Sequence, residues 1–500
     1  MVGFNFTLKD TQTLQLLHTT LVDQDPFAIQ VDNLSPNREY TYAVGPEIGK
    51  FHTFSNTKSK LRIGVGSCTS TPSIANSWVS LKRQSPDLFI VTGDLFYYDI
   101  TQNHTEAFGT AYHNIFESSH LRDFFHSTSL AYMWDDHDFG PNNSDGDSPA
   151  KVAARLAYQS YFPHYPFPNG ASGNRPIYQS FTLNSGLVHI ILTDLRSDSK
   201  KGKMIMGPEQ YEWFLSELSQ HKSYELILWI SSRPWIGAAD PTEDFWGGYA
   251  EQRRNISNYI SAHNISNLLL VGGDAHMVAF DDGTHSDYSD LPAGSGAGMP
   301  VFQAASLDRR GSTKGGPFSL GCYAYLISWT EQYGLIDVFQ DARNRTCVTV
   351  SGYRTSQGDA STESLLLQWT GCTPIVKKGS PGADFSCPAQ LFPPGEWALL
   401  VLSYGAVILL LIFGAIYHIK TKNVVSERIY KRRWIGSVVY FVMVVLVSVV
   451  VALSISLGRL GPSRPTFLPA HVGWLVAGLD LLYLIGLIVD YYHQRNQGDY

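Results

Sequence analysis

Four short segments of this chain set metal-binding chemistry at the ends of apolar runs. They read Gly66-Ser67-Cys68, Gly93-Asp94-Leu95-Phe96-Tyr97, Trp134-Asp135-Asp136-His137-Asp138 and Gly272-Gly273-Asp274-Ala275-His276. Each follows a stretch with the makeup of a buried strand. In an open α/β sheet, ligands bind where strands end and loops begin. A thiol, a phenol, imidazoles and several carboxylates delivered to four such ends fit one metal centre assembled from distant sequence. The chemistry to expect of such a centre is hydrolysis of a phosphate ester.

Each residue carries a competing reading. Asp94 can bridge two cations, and a deprotonated Tyr97 can ligate a hard trivalent ion, with Gly93 turning the backbone beneath them. Alternatively Asp94 caps a helix and Tyr97 is a packed aromatic. Asp274 and His276, spaced by two, offer two ligands on one side of an extended segment; the alternative is an ordinary capped turn. In the run Asp135 to Asp138, three carboxylates around one imidazole repel one another unless a cation, a base or solvent offsets them. One or two of them, Asp136 among them, can ligate while His137 stays free as an acid or a phosphate contact. The alternative is a solvated acidic loop. Cys68 is either a small buried residue or a deprotonated ligand. Arg196 and Arg233 either clamp phosphoryl oxygens or pair with Asp194 or Asp240.

The elements that must position these groups follow from the apolar pattern. Strands are expected over 61–65, 87–92, 130–134, 187–192, 225–231 and 268–271, with helices near 74–84, 106–126, 149–161, 208–220 and 251–263. That alternation favours an α/β core. Late strands over 323–327, 333–339 and 347–350 point to a second sheet. Residues 1–58 read as a β-rich piece, with strands over 27–31, 40–44 and 51–54.

At 500 residues the chain exceeds one modest domain. Its net charge of −7, with no long basic tract ahead of the apolar tail, argues against a nucleic-acid surface. Apolar segments over 397–417, 434–457 and 472–489 each approach the ~20 residues that cross a bilayer. The third contains Asp480, a costly residue in lipid. Lys420, Lys422, Arg428, Lys431, Arg432 and Arg433 lie between the first two, which assigns that loop to the cytosol and the N-terminal domain to the outside or a lumen. The expectation is therefore a multi-pass protein of the plasma membrane or a secretory organelle, with a cytosolic tail over 491–500.

Glycosylation acceptors at Asn5, Asn103, Asn255, Asn264 and Asn344 agree with this topology, and a further sequon falls at Asn142. Four of the five cysteines, Cys322, Cys347, Cys372 and Cys387, cluster late in that domain and suggest two disulfides. Cys372 with Cys387 and Cys322 with Cys347 is one pairing, with the others left open. The first thirty residues lack the basic start and apolar core of a signal peptide. The expectation is that the sequence begins after a removed or unrecorded segment.

Taken in order, Gly66-Ser67-Cys68, Gly93-Asp94-x-x-Tyr97, Asp135-Asp136-His137-Asp138, Asp194-x-Arg196 and Gly273-Asp274-x-His276 resemble the alkaline-phosphatase-D (PhoD-like) branch of the metallophosphoesterases, over roughly 28–355. The usual superfamily opening Asp-x-His is absent, and Cys68 stands where this branch has its cysteine. The resemblance implies a two-sheet α/β/β/α sandwich over 59–355. Before it would lie a fibronectin-III-like β remnant over 1–58. After it would come a disulfide-containing linker over 356–395 and three transmembrane helices within 396–490. It also implies a binuclear centre. Cys68, Asp94, Tyr97 and His276 would hold Fe3+, and Asp94 would bridge to Ca2+ or another divalent ion that Asp274 also binds. The last ligand stays open among Asn142, Asn143 and Asp136, because the segment after Asp138 is lengthened relative to the family. The function implied is a membrane-anchored phosphodiesterase or phosphomonoesterase. Metal-held hydroxide would attack phosphorus while His137, Arg196 or Arg233 holds the nonbridging oxygens. The substrate would be a phosphoester, with a lipid or lipid-linked headgroup as one option. The rival is a catalytically inactive glycosylated ectodomain serving as an adhesion or complex subunit.

Overall fold

The computed structural model describes residues 3–168, 170, 175–290, 296–304, 306–325, 329–356 and 359–377. The chain divides into two units, Met1–Leu391 and Phe392–Tyr500. All that follows belongs to the first.

An antiparallel sheet of four strands comes first: β1 (Phe4–Asp10), β2 (Leu16–Val22), β3 (Glu39–Val44) and β4 (Glu47–His52), in the order β2-β1-β3-β4. The next segment contributes β5 (Leu61–Gly66), α1 (Ser77–Gln84), β6 (Leu88–Thr92), α2 (Thr105–Phe116), α3 (Ser119–Phe125), β7 (Ser129–Met133), α4 (Asp136–Phe139) and α5 (Lys151–Tyr161). Then come β8 (Gln179–Leu183), β9 (Val188–Thr193), α6 (Pro208–Ser219), β10 (Leu226–Ser231), α7 (Ala250–Ala262), β11 (Leu268–Gly272), β12 (Val278–Asp281) and β13 (Val301–Gln303). The last described strands are β14 (Leu320–Tyr323), β15 (Gln332–Gln340), β16 (Thr346–Ser356) and β17 (Asp359–Cys372).

Two large sheets result, ordered β17-β16-β15-β5-β6-β7 and β14-β12-β13-β11-β10-β9-β8. In the first, β5, β6 and β7 run parallel; in the second, β9, β10, β11 and β13 do. Parallel strands covered on both faces need continuous apolar runs, and these supply them: every residue of β6, β9, β10 and β11 is buried.

The pleat sorts the side chains of the second sheet. Val188, Ile190, Leu192, Leu226, Leu228, Ile230, Leu269 and Val271 point into the core shared with the first sheet. Ile191, Ile227, Trp229, Leu268 and Leu270 point the other way, into a core with Phe214 of α6 and with Ile256 and Ile260 of α7. On the far side of the first sheet, Trp78 of α1 and Phe124 of α3 meet Phe89 of β6 edge-on, at 5.5 and 5.2 Å between ring centroids. The layers are helix, sheet, sheet, helix. The parallel strands of both sheets deliver their C-terminal ends to one rim.

Several expectations need correction. Phe27–Val31 is not a strand, whereas β1, β2 and β8 are, and the helix expected over 106–126 breaks at Glu117-Ser118 into α2 and α3. Much of the stretch read as linker is β17, which pairs antiparallel with β16 along its length. That pairing sets Cys347 opposite Cys372, and these two form a disulfide. The Cys322–Cys347 and Cys372–Cys387 pairing is thereby overturned. Cys322 is itself disulfide-bonded, and Cys387 lies outside the described residues. The five acceptors Asn5, Asn103, Asn255, Asn264 and Asn344 are all exposed.

The membrane assignment is corrected too. Among the described residues no helix is long and apolar enough to cross a membrane. The longest, α7, has 13 residues, a rise of about 20 Å against a hydrocarbon core of about 30 Å. The spans 397–417, 434–457 and 472–489 and the tail 491–500 lie outside the described residues. The transmembrane helices, the multi-pass localisation, the bilayer as partner and a lipid headgroup as substrate are therefore not carried forward.

Candidate metal centre

The four segments meet at the shared rim. Cys68 follows β5, Asp94 follows β6, Asp135 and Asp136 follow β7, and Asp274 and His276 follow β11. Cys68, Asp94 and Asp274 each leave their strand with positive φ, at 60°, 55° and 62°. Non-glycine residues rarely adopt that conformation, which concentrates at functional sites. Here it turns each side chain off the strand end toward the others. The preceding glycines make room. Gly93 has φ of +105°, and a Cβ there would lie 2.5 Å from Cβ of Asp135; one at Gly273 would lie 2.2 Å from the Thr92 carbonyl oxygen.

Three sets of ligand atoms each lie within 4.8 Å of one another: Cys68, Asp94 and His276; Asp94, Asp136 and His137; and Asp94, Asp135 and Asp274. Asp94 belongs to all three. A fourth acidic cluster, Asp341 with Cys347 and Cys372, is no metal site, since both sulfurs are in the disulfide. Cys68 is a free, buried thiol. Its sulfur lies 3.7 Å from Oδ2 of Asp94, which also accepts a hydrogen bond from Tyr97 Oη at 2.8 Å. That hydroxyl is 3.2 Å from Nε2 of His276. Nδ1 of His276 donates to the Arg310 carbonyl at 2.7 Å, which leaves Nε2 as the lone-pair nitrogen facing the cluster.

The centre is an acidic floor under a polar rim. Asp94, Asp135, Asp136 and Asp274 are buried, while Tyr97, His137 and His276 are partly open to solvent. Burial, then the charges of Asp136 and Asp135, pushes Asp94 well up from the ordinary carboxylate value. Burial is also the main cause that lifts Asp135 and Asp138 to about 7. Burial would raise Asp136 as well, but Arg196, His137 and the Asn143 amide outweigh it and hold this carboxyl below the usual range. Burial and Asp94 push the Cys68 thiol and the Tyr97 phenol up. Desolvation pushes His276 down to about 3, so its ring is neutral.

This donor set fits cations. Asp135 Oδ2, Asp136 Oδ1 and Asp274 Oδ2 are buried and accept no hydrogen bond among the described residues, a costly state for carboxylate oxygens unless a positive charge answers them.

Other expected residues sit elsewhere. Arg196 and Arg233 have no exposed surface. Arg196 bonds Asp135 through Nε at 2.5 Å and Asp244 through Nη1 at 2.8 Å. Arg233 reaches Tyr249 Oη and the Asp244 carbonyl, both at 3.0 Å. They are paired structurally, with Asp135 and Asp244 in place of the Asp194 and Asp240 expected from sequence. Asp138 accepts from the amides of Asp135 and Leu95 and from Tyr132 Oη, closing a capping box on α4. Asn142 and Asn143 are exposed, and it is the backbone amide of Asn143 that reaches Asp136, at 2.5 Å. The His137 ring lies tilted by 37° against Tyr97, with ring centroids 4.1 Å apart, and its Nδ1 is 2.6 Å from Asp99 Oδ1.

The sequence reading did not single out Asp99, Asp244, Arg309 or Lys314. Arg309 lies over the Tyr97 ring at 3.8 Å, and Lys314 is ion-paired with Asp274. The last two sit on the loop after β13, where three cations, Arg309, Arg310 and Lys314, in the glycine-rich run Arg309 to Gly316 were a readable signal. Asp99 and Asp244 had none, Asp99 being a single acidic residue and Asp244 following Glu243 in ordinary turn sequence.

A two-sheet α/β sandwich with a thiol, imidazole and carboxylate cluster at the joint strand ends offers the donor set of a metal centre. The family comparison agrees. A model of PhoD-like phosphatases matches residues 63–313, half of the chain and all of the candidate centre, and the chain belongs to that family. It is similar to alkaline phosphatase D of Bacillus subtilis strain 168, at 23% identity over 319 residues, which cover 52% of this chain and 54% of the relative. The chain thus spans about half the length of that curated relative. A solved structure of PhoD superposes with a TM-score of 0.57 at 15% identity, covering 78% of this chain and 87% of the other. That likeness speaks to the fold.

Proposed function

We propose that this protein hydrolyses phosphoesters at a binuclear centre, with phosphodiesters as the preferred class. The observation that carries the reading is the participation of Asp94 in all three ligand sets, the arrangement a bridging carboxylate needs. Cys68, Asp94, Tyr97 and His276 would hold a trivalent ion such as iron, as a thiol, a phenol and an imidazole beside a carboxylate suit it. Asp94 and Asp274, with Asp136 or Asp135, would hold a divalent ion such as calcium, on an all-oxygen set. Bound there, the pair would supply Lewis acidity at the phosphoryl group and an activated water.

The protein's own groups do the rest. His137, steered by Asp99, presents its remaining nitrogen to the open side, where it can hydrogen-bond a nonbridging or leaving oxygen. Arg309 lies against Tyr97 on the same rim and offers charge to an anion entering there. Arg196 fixes Asp135 and Asp136 without meeting substrate. The test is elemental analysis of protein purified without metal affinity, joined to turnover of bis(p-nitrophenyl) phosphate and p-nitrophenyl phosphate before and after chelation. Close to one iron and one divalent ion per chain, with chelator-sensitive diester turnover, is the expected result. Turnover that survives removal of all metal would overturn the reading.

A further inference from the structure

We propose that Lys314 is a tethered cation that competes for the divalent half of the centre, so the two metal sites load with unequal affinity. This rests on the binuclear reading above. The two halves differ in what answers their charge. The half around Cys68 and His276 sets a thiol, a phenol and an imidazole beside Asp94, and its imidazole is already fixed by the Arg310 carbonyl. The half around Asp274 is made of carboxylates, with Asp94 and Asp135 oxygens within 4.8 Å of its own. Asn142 and Asn143, the candidate amides for this half, stand exposed.

Among the described residues, Arg196 and Lys314 reach this second half from the protein itself. Arg196 is buried and committed to Asp135 and Asp244, with Nη2 3.5 Å from Asp136. Lys314 is different in kind. Its ammonium pairs with Oδ1 of Asp274, and its side chain is 36% exposed. Its loop is held in place, Gly311 by the Tyr325 carbonyl and Gly316 by the Ile236 carbonyl, so the partly exposed side chain can swing to solvent while the backbone stays. Yet it answers only one oxygen. Oδ2 of Asp274, Oδ2 of Asp135 and Oδ1 of Asp136 stay buried without a hydrogen bond. A compact divalent ion could meet several of these oxygens at once, whereas a single ammonium cannot. The arrangement is one in which the lysine moderates repulsion in the half-loaded enzyme and yields when the second ion binds. A group held on the chain acts at high effective concentration, so it raises the free divalent concentration needed for the second site.

The experiment compares the parent, Lys314→Gln and Lys314→Arg as full chains. Elemental analysis follows purification without metal affinity, and Ca2+ is then titrated calorimetrically into protein depleted of its weakly held ion. Melting curves check that each variant is folded. The expected result is unchanged iron in all three, Ca2+ binding about tenfold tighter in Lys314→Gln, and parent-like binding in Lys314→Arg. Equal or weaker Ca2+ binding by a folded Lys314→Gln would overturn the proposal while leaving the binuclear reading intact. Absence of any tightly bound metal from the parent would remove both.

Discussion

At the scale of single residues, the centre separates groups that repel one another from groups that hold them in place. Asp94 is the most strained of the first kind, buried against Asp135 and Asp136. Asp94→Asn should abolish metal retention and turnover, yet raise the melting temperature of the metal-free protein near neutral pH, since the parent must there either hold a proton on Asp94 that the unfolded chain releases or bury a charge among like charges. Elemental analysis and paired melting curves check both halves; retention of the parent's metal content would end the bridging assignment. Arg196 is the opposite case. Arg196→Ala strands Asp135 and Asp244 without their partner, and breaking such a buried pair costs about 3–5 kcal/mol. Urea denaturation should show a loss of that size. An unshifted midpoint would mean the guanidinium is not structural, and would return it to the phosphate clamp that its place after β9 first suggested. Cys68→Ser should weaken retention of the iron-like metal, as a hydroxyl replaces a thiolate donor; identical iron content would take Cys68 out of the ligand set.

Elements explain why some of this was legible in the sequence and some was not. Strands buried on both faces, such as Val188–Thr193 and Leu268–Gly272, announce themselves as apolar runs, and the residues after them are then the obvious site candidates. Cys68, Asp94, Asp136, Asp274 and His276 are candidates on that ground, and the structure brings them near one another. β17 hid because its side chains are mostly exposed or half-buried, so its composition reads as a linker. The disulfide pairing was lost with it, since only the register of β16 on β17 sets Cys347 opposite Cys372. The positive φ of Cys68, Asp94 and Asp274 leaves no trace in residue type. Glycine does leave one. Gly93→Ala should push Asp135 away from Asp94 and lower metal content severalfold, because both the conformation and the space at Gly93 exclude a Cβ. Metal content equal to the parent's would show that the loop absorbs the methyl group elsewhere.

For the whole molecule, the two sheets are held apart by hydrocarbon and joined at one rim by charge. That arrangement makes stability depend on pH in a direction set by the metal. Asp135 and Asp138 rise from 3.8 to about 7 in the folded chain, chiefly through burial. Between those values the folded metal-free protein holds protons that the unfolded chain has released. Its stability from these groups is therefore fully present below about pH 4, declines as pH rises, and is lost above about pH 7. Bound cations reverse the trend, because carboxylate, thiolate and phenolate ligands must shed their protons to bind, so metal stabilisation grows with pH. The gap in melting temperature between metal-loaded and metal-free protein should accordingly widen steadily from about pH 5 to about pH 8. Differential scanning calorimetry of both forms across that range reads it directly. A gap that stays constant or narrows would mean that the buried carboxylates are charge-balanced by the protein alone, and that the rim needs no cation to be stable.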